Sequence, residues 1–464
     1  MNKEYLIKEK PLKALLVFAI PMIIGNLFQQ FYTMVDSVVV GRFVNENALA
    51  AVGASHSLTA VFISVAIGGG IGASVITSRY FGARDYRRMK TSIRTALVSF
   101  FVISVALGVA GLFCAKQIMI WLNTPSNVLE QATEYLNIYF LGLPFLFMYN
   151  VLAAMFNALG KSRIPLYLLI FSSVLNVVLD LVMVCLLGLE VAGVAWATLI
   201  AQGISAVCAF VIFVVQLRRY HEKETEQEER EAESESAIAR AARKRVIFDK
   251  REFANMARVA CPSILQQSTV SVGMMLVQSV VNSFGSEVLA GFSASMRVEG
   301  ICVVPMAAMG NAISSYTAQN IGAGKFERVR EGYRKGYGIV FAFAIVLCLW
   351  LEIWYRPLVK LFLGEEGTVL AMQTGTEYLR FIGWFFVLIG LKMLTDGVLR
   401  GAGDMTMFTV ANMVNLGLRV VMAVTLAPRF GVAMVWIAVP IGWLANYIIS
   451  FAQYKTGKWL KKNL

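Results

Sequence analysis

Histidine is nearly absent from this sequence: two residues, His56 and His221, occur in 464. They are too few and too far apart to hold a metal ion together. Cysteine is sparse as well. Its six residues, at 114, 185, 208, 261, 302 and 348, lie in or beside apolar runs and never in a C-x-x-C spacing. They supply neither a disulfide framework nor a zinc site, and they read as small core residues. Without a histidine set, a paired nucleophile and base or a metal cluster, enzymatic chemistry is not expected. Charge is scarce too, at 15% of residues.

Apolar residues fill the space. They make up 58% of the chain, with a mean hydropathy of +0.65. A soluble protein of this size could not hide so much apolar surface. Runs of roughly 20 residues or more, each long enough to cross a bilayer as a helix, occur near 14–40, 50–77, 92–114, 133–158, 164–187, 191–217, 256–283, 289–320, 334–355, 375–399, 405–427 and 431–454. These twelve predict an all-α polytopic membrane protein. The first run lacks a cleavage-like end and is read as a retained span.

The net charge of +13 raises the question of nucleic acid, and its distribution answers it. Most of the Lys and Arg fall in alternate loops, such as MNKEYLIKEKPLK, RYFGARDYRRMKTSIR, GAGKFERVREGYRK and KTGKWLKKNL. An even number of spans puts both termini on that side. The bias places them in the cytoplasm, in a bacterial inner membrane. The basic residues therefore predict contact with lipid headgroups and no nucleic-acid partner.

The densely charged segment 218–252 interrupts the pattern and reads as a cytoplasmic linker between six spans (1–217) and six more (253–464). The two halves repeat. AIPMIIGNLFQQ from 19 matches ACPSILQQSTVS from 260. ENALAAVGAS from 46 matches SEVLAGFSAS from 286, and RYFGARDYRR from 79 matches QNIGAGKFER from 319. FNALG at 156–160 matches LRGAG at 399–403, and GVAW from 193 matches GVAM from 431. The offset stays between 238 and 243. Each half begins on the same side, so the repeat is parallel and predicts two pseudo-symmetric six-helix lobes. Secondary transporters use such repeats, rocking one half against the other around a midplane site. An internally duplicated chain needs no oligomeric ring to make a pathway, and a monomer is expected.

Polar residues inside the spans mark candidate sites. The first span carries a stripe of Asn26, Gln29, Gln30, Thr33, Asp36 and Ser37, and the seventh carries Gln267, Ser271, Gln278 and Asn282. Steps of three and four keep each stripe on one helix face. Gln29, Gln30, Thr33, Gln202, Gln267 and Gln278 are candidates for the lining of a substrate pocket, and Phe, Trp, Tyr and Met could line a pliable one for apolar cations. The fifth span carries Asn176 and Asp180, the sixth Thr198 and the fourth Asn150. An Asp at a helix centre costs roughly 2.5–3.5 kcal/mol to insert. If Asp36 and Asp180 shared a cavity about 5 Å apart, at an effective dielectric near 20, they would repel by about 3 kcal/mol. One would then hold a proton, or a cation would sit between them. Oxygens of Asn150, Asn176 and Thr198 would complete a cage suited to a hard ion. The alternative is that each Asp pairs with a local donor and only fixes helix packing.

Arg297 and Glu299, Lys392 and Asp396, and Arg419 form the charged set of the second half. Opposite signs lie close along the chain, so self-neutralised structural pairs are expected, the functional alternative being that they couple helix tilt to site occupancy. Gly-rich AIGGGIGAS (66–74) follows no strand and reads as close helix packing, not as a phosphate loop.

Several of these stretches together are specific. Pro21 precedes a polar first span ending in Asp36. YFGARD and QNIGAG follow spans two and eight. R-V-E lies in span eight, RGAGD follows span ten, and L-N-x-x-L-D occupies 175–180. The chain resembles the multidrug and toxic compound extrusion (MATE) transporters over nearly its whole length. The resemblance implies twelve helices in two lobes, a central cleft, and export of amphipathic organic cations driven by sodium or protons as coupling ion, with no other cofactor. It assigns cation binding to Asp36, Asn150, Asn176, Asp180 and Thr198. It suggests the DinF-like branch, whose ion site lies in the first lobe. The acids that the NorM-like branch places in spans seven and ten have no clear counterpart. Pro21 and Gly25 would ease a bend of the first helix, and Arg297 and Glu299 would take part in the coupling. The rival function is a lipid-linked precursor flippase of the wider superfamily.

Overall fold

The structure, a computed structural model, describes residues 4–43, 46–122, 124–218, 220, 246–364 and 367–461. The side chains of 35–43, 46–50, 56, 57 and 272 also lie outside the described residues. Most of the linker, 219 and 221–245, is not described.

Helices account for the fold, and no strand occurs among the described residues. They are α1 (Tyr5–Lys8), α2 (Pro11–Phe43), α3 (Glu46–Ala83), α4 (Tyr86–Trp121), α5 (Ser126–Ala158), α6 (Arg163–Leu181), α7 (Glu190–Arg218), α8 (Lys250–Asn282), α9 (Ser286–Gly322), α10 (Phe326–Leu363), α11 (Val369–Gly383), α12 (Phe386–Gly401), α13 (Met405–Phe430) and α14 (Ala433–Lys455). A π-helical turn, Val182–Leu186, follows α6. Hydrocarbon leaves backbone polar groups no partner but their own helix, so the apolar runs fold as predicted. Among the described residues, eleven helices are long and apolar enough to span, and α11 with α12, taken as one bent span, makes a twelfth.

That twelfth span differs from the expected unbroken helix over 375–399. It breaks at Trp384–Phe385 and bends by 54°. At the break, Glu352 of α10 accepts from the Trp384 indole at 2.8 Å and from Arg380 Nε at 3.1 Å.

The repeat shows itself in the turns. Arg84, Gly160, Gly324 and Gly403 all have φ between 59° and 77°. Around each, the next residue's N–H reaches back five positions: Asp85 to Tyr80 O, Lys161 to Phe156 O, Lys325 to Asn320 O and Asp404 to Leu399 O, at 2.8–3.0 Å. This is the helix-ending turn that a left-handed residue makes possible. It recurs twice per half, at the positions where the sequence repeat aligns YFGARD with QNIGAG and FNALG with LRGAG.

Contacts divide the chain into two compact units, Phe28–Ile264 and Met1–Leu27 with Leu265–Leu464. These limits differ from those of the sequence repeat and fall inside α2 and α8. Polar docking accounts for the exchange. In one unit the α1 segment sits on the α9–α10 turn. Leu6 O accepts from Asn320 Nδ2 at 3.1 Å, Ile7 O from Lys325 Nζ at 3.2 Å, and Glu9 O from Arg328 Nη2 at 2.6 Å. These donors satisfy carbonyls that a helix end leaves open. In the other unit the start of α8 sits on α3 and α4, where Tyr80 donates to Glu252 at 2.8 Å and Asp249 N–H to Thr95 at 3.0 Å.

In the unit Phe28–Ile264, α5 is the hub, packing on α3, α4 and α7 around Phe140, Leu143 and Phe147. In the other unit the hub is α9, which packs on α10, α11 and α12. Backbones touch there. A Cβ at Gly397 would meet Gly310 O at 2.3 Å, and one at Gly401 would meet Ser314 O at 2.3 Å. Gly397→Leu should therefore destabilise the protein by about 1–3 kcal/mol as an overpacked contact. Gly417→Ala, which meets nothing within 4 Å, should be near neutral. Unfolding midpoints of the purified variants check both.

Candidate functional site

Helix α6 turns the order of a soluble helix inside out. Val174, Val178 and Leu181 are exposed, whereas Ser173, Asn176 and Asp180 are buried. Steps of three and four put the polar trio on one face. Asn176 is 3% and Asp180 1% exposed. The π turn begins two residues beyond Asp180. Such turns widen a helix locally and occur often at functional sites.

The Asn176 amide stands between three neighbours. With its nitrogen toward Asp180 it donates to Oδ2 at 3.3 Å and to the Tyr32 hydroxyl. Its oxygen then accepts from the Thr198 N–H at 3.1 Å. Asp180, Asn176, Thr198 and Tyr32 are thus assembled from α6, α7 and α2. A cavity of about 70 Å³ adjoins them, lined among others by Gln29, Tyr32, Tyr149, Asn176, Thr198 and Gln202. A second, much smaller one shares Thr198 and Gln202 and adds Tyr135 and Tyr139. The oxygens are those a hard cation takes, and the tyrosine faces attract organic cations.

The other expected residues fall as follows. Asp36 follows Tyr32 by one turn of α2, and its side chain lies outside the described residues. Asn150 gives its amide nitrogen to Leu146 O of its own helix at 2.8 Å, while its neighbour Tyr149 faces the first cavity. Gln29 and Gln202 line that cavity. Gln30 and Thr33 are exposed, and the Thr33 hydroxyl bonds Gln29 O at 2.9 Å. Gln267, half-buried, and Gln278, exposed, belong to the other compact unit. Helix α2 continues through Pro21 and Gly25. Tyr32, Tyr149, Ser172 and Ser173 were not expected at the site. The signal for Tyr32 was its place on the Gln29 stripe, and for Ser173 its place three residues before Asn176.

Among the second-half charges, the expected pairing holds for Lys392 and Asp396, 3.4 Å apart. It does not hold for Arg297 and Glu299. Two residues along a helix point to opposite sides, so Arg297 is exposed and Glu299 buried. Glu299 accepts instead from the Tyr378 hydroxyl. Among the described residues, no group of three or more His, Cys, Asp or Glu could hold a metal ion. The α6 site thus depends on neutral oxygens beside its one described carboxylate.

The MatE family model matches residues 21–182 and 262–425. The probable multidrug resistance protein YpnP of Bacillus subtilis is 29% identical, over 97% of this chain and 96% of its own. An FAD transporter of Shewanella oneidensis is 21% identical over 75% of this chain and 74% of its own. Among solved structures, the outward-facing conformation of a multidrug resistance MATE family transporter superposes with a TM-score of 0.87. It is 22% identical, with coverage of 100% of this chain and 99% of the other.

Asn176→Leu should destabilise the protein by about 1–3 kcal/mol, because it strips a buried partner from Asp180. Tyr32→Phe should cost less, about 0.5–1.5 kcal/mol, the usual net worth of one hydrogen bond. Denaturant unfolding in detergent measures both.

Proposed function

This chain belongs to the MatE family of membrane transporters, and from that premise we propose that it exports amphipathic organic cations in exchange for sodium or protons. The buried Asp180, with Asn176, Tyr32 and Thr198 beside a cavity of about 70 Å³, carries the reading. A carboxylate is costly inside a membrane and there commonly marks an ion or substrate pathway. Asp36, one turn past Tyr32 on α2, supplies the second negative charge. Tyrosines at the two cavities suit flat, positively charged substrates. The repeats, 1–217 and 253–464, move against each other as lobes joined by the 218–252 linker. Both termini face the cytoplasm of a bacterial inner membrane, and one chain suffices.

Exchange follows if ion and substrate favour opposite states. Binding at Asp180 then lowers substrate affinity, and substrate lowers ion affinity by the same factor. A bend of α2 at Pro21 and Gly25 is the element on which both act.

In vesicles reconstituted with the purified protein, ethidium movement should respond to an imposed sodium or proton gradient. Asp180→Asn and Asp36→Asn should each abolish that response while the protein remains in the membrane. Transport undiminished in both variants refutes the site. Reporters fused to each terminus should both read as cytoplasmic.

A further inference from the structure

The unit Met1–Leu27 with Leu265–Leu464 contains its own oxygen-lined cage, and that cage is already filled. Lys392 and Asp396 stand one turn apart on α12, each about 3% exposed. Asn412 on α13 lies between them. Its Oδ1 accepts from Lys392 Nζ at 3.1 Å, and its Nδ2 donates to Asp396 Oδ2 at 3.1 Å. From α8, Gln266 Nε2 donates to the same Asn412 Oδ1 at 3.3 Å. From α14, the Ser450 hydroxyl donates to Asp396 Oδ1 at 2.6 Å. The oxygens facing the ammonium are one carboxylate and one amide carbonyl, which a small hard cation would also take.

The sequence repeat shows what has happened to the α6 site on this side. Aligning SSVLNVVLDLVM (172–183) with ANMVNLGLRVVM (411–422) pairs Asn176 with Asn415 and Asp180 with Arg419, at an offset of 239. The GVAW–GVAM match, at 238, pairs Thr198 with Trp436. The amide persists, the acid becomes an arginine, and the hydroxyl becomes an indole packed edge-on against Tyr378. Arg419 reaches Met274 Sδ at 3.2 Å and acts electrostatically on Glu299 and Lys392. Arg400, held by Asn311 at 2.7 Å, adds a further positive charge near Lys392. Three fixed cations thus stand against Asp396 and Glu299, which leaves no electrostatic place for a mobile one.

We infer that Lys392 is a tethered cation, which fills the Asp396–Asn412 cage permanently and confines ion exchange to the unit Phe28–Ile264. The inference goes beyond the proposed function and uses it only in naming Asp180 as the exchanging group. Lys392 is a positioning residue: its ammonium fixes how many free cations the protein takes.

The test uses full-length protein in lipid nanodiscs. Its unfolding midpoint is titrated with sodium chloride against choline chloride at constant ionic strength, and with acid. Asp396→Asn, and the uncharged double variant Lys392→Met with Asp396→Asn, should keep the wild-type response to sodium and protons. Lys392→Met alone should gain a further stabilisation by sodium or by protons. That gain should survive in an Asp180→Asn background and vanish when Asp396→Asn is added. Loss of the wild-type response in Asp396→Asn or in the double variant overturns the inference, and so does a folded Lys392→Met with no gain. If Lys392→Met does not fold, the double variant decides. A response unchanged by Asp180→Asn counts against the proposed ion site alone, since the Lys392 and Asp396 variants are read separately.

Discussion

A carboxylate inside a bundle of membrane-spanning helices must be answered by something. Water is not there to do it, and an isolated charge is too costly to leave alone. Two of the buried aspartates, Asp396 and Asp180, receive different answers. Asp396 is met by a lysine on its own helix, with an asparagine and a serine completing its hydrogen bonds. Asp180 is approached by the Asn176 amide and adjoins a cavity. A charge balanced within the chain makes a rigid strut.

Close backbone contacts occur in both units. Gly397 and Gly401 of α12 lie against the carbonyls of Gly310 and Ser314, and Gly68 and Gly72 of α3 against the backbone of Ile264 and Ala260, which leaves the helices little room to slide. Packed interfaces of this kind move as bodies or not at all. The cavity in the unit Phe28–Ile264 is lined by tyrosines, serines and amides, and a π-helical turn follows α6 two residues beyond Asp180.

Much of this was legible in the sequence because hydrocarbon imposes so few choices. The number of spans followed from apolar length. The repeat followed from turn motifs, since a left-handed residue after YFGA or IGA admits few replacements. The face shared by Asn176 and Asp180 followed from a spacing of four, and the Lys392–Asp396 pair from the same spacing. Other features depended on contacts distant in sequence. The break at Trp384 carries a hydrogen bond to Glu352, on another helix. The burial of Tyr220 against Phe81 and Tyr86, at the edge of what reads as a solvated linker, comes from the two sides of the α3–α4 turn, far upstream. Arg297 and Glu299 misled because adjacency along the chain was taken for adjacency in space, which a helix denies to residues two apart. Tyr32 was overlooked because an aromatic in a membrane span looks like packing.

The docking of α1 against the α9–α10 turn bears on how the protein is made. Residues 5–9 are synthesised long before the groups that hold them, which lie beyond residue 319, with a charged segment and eight spans emerging in between. The first helix therefore cannot complete its packing until most of the chain has left the ribosome. Either half produced alone would lack part of each compact unit. Assembly must finish by an exchange of ends, so the two duplicated halves are bound to one another by the order in which they acquire their last contacts.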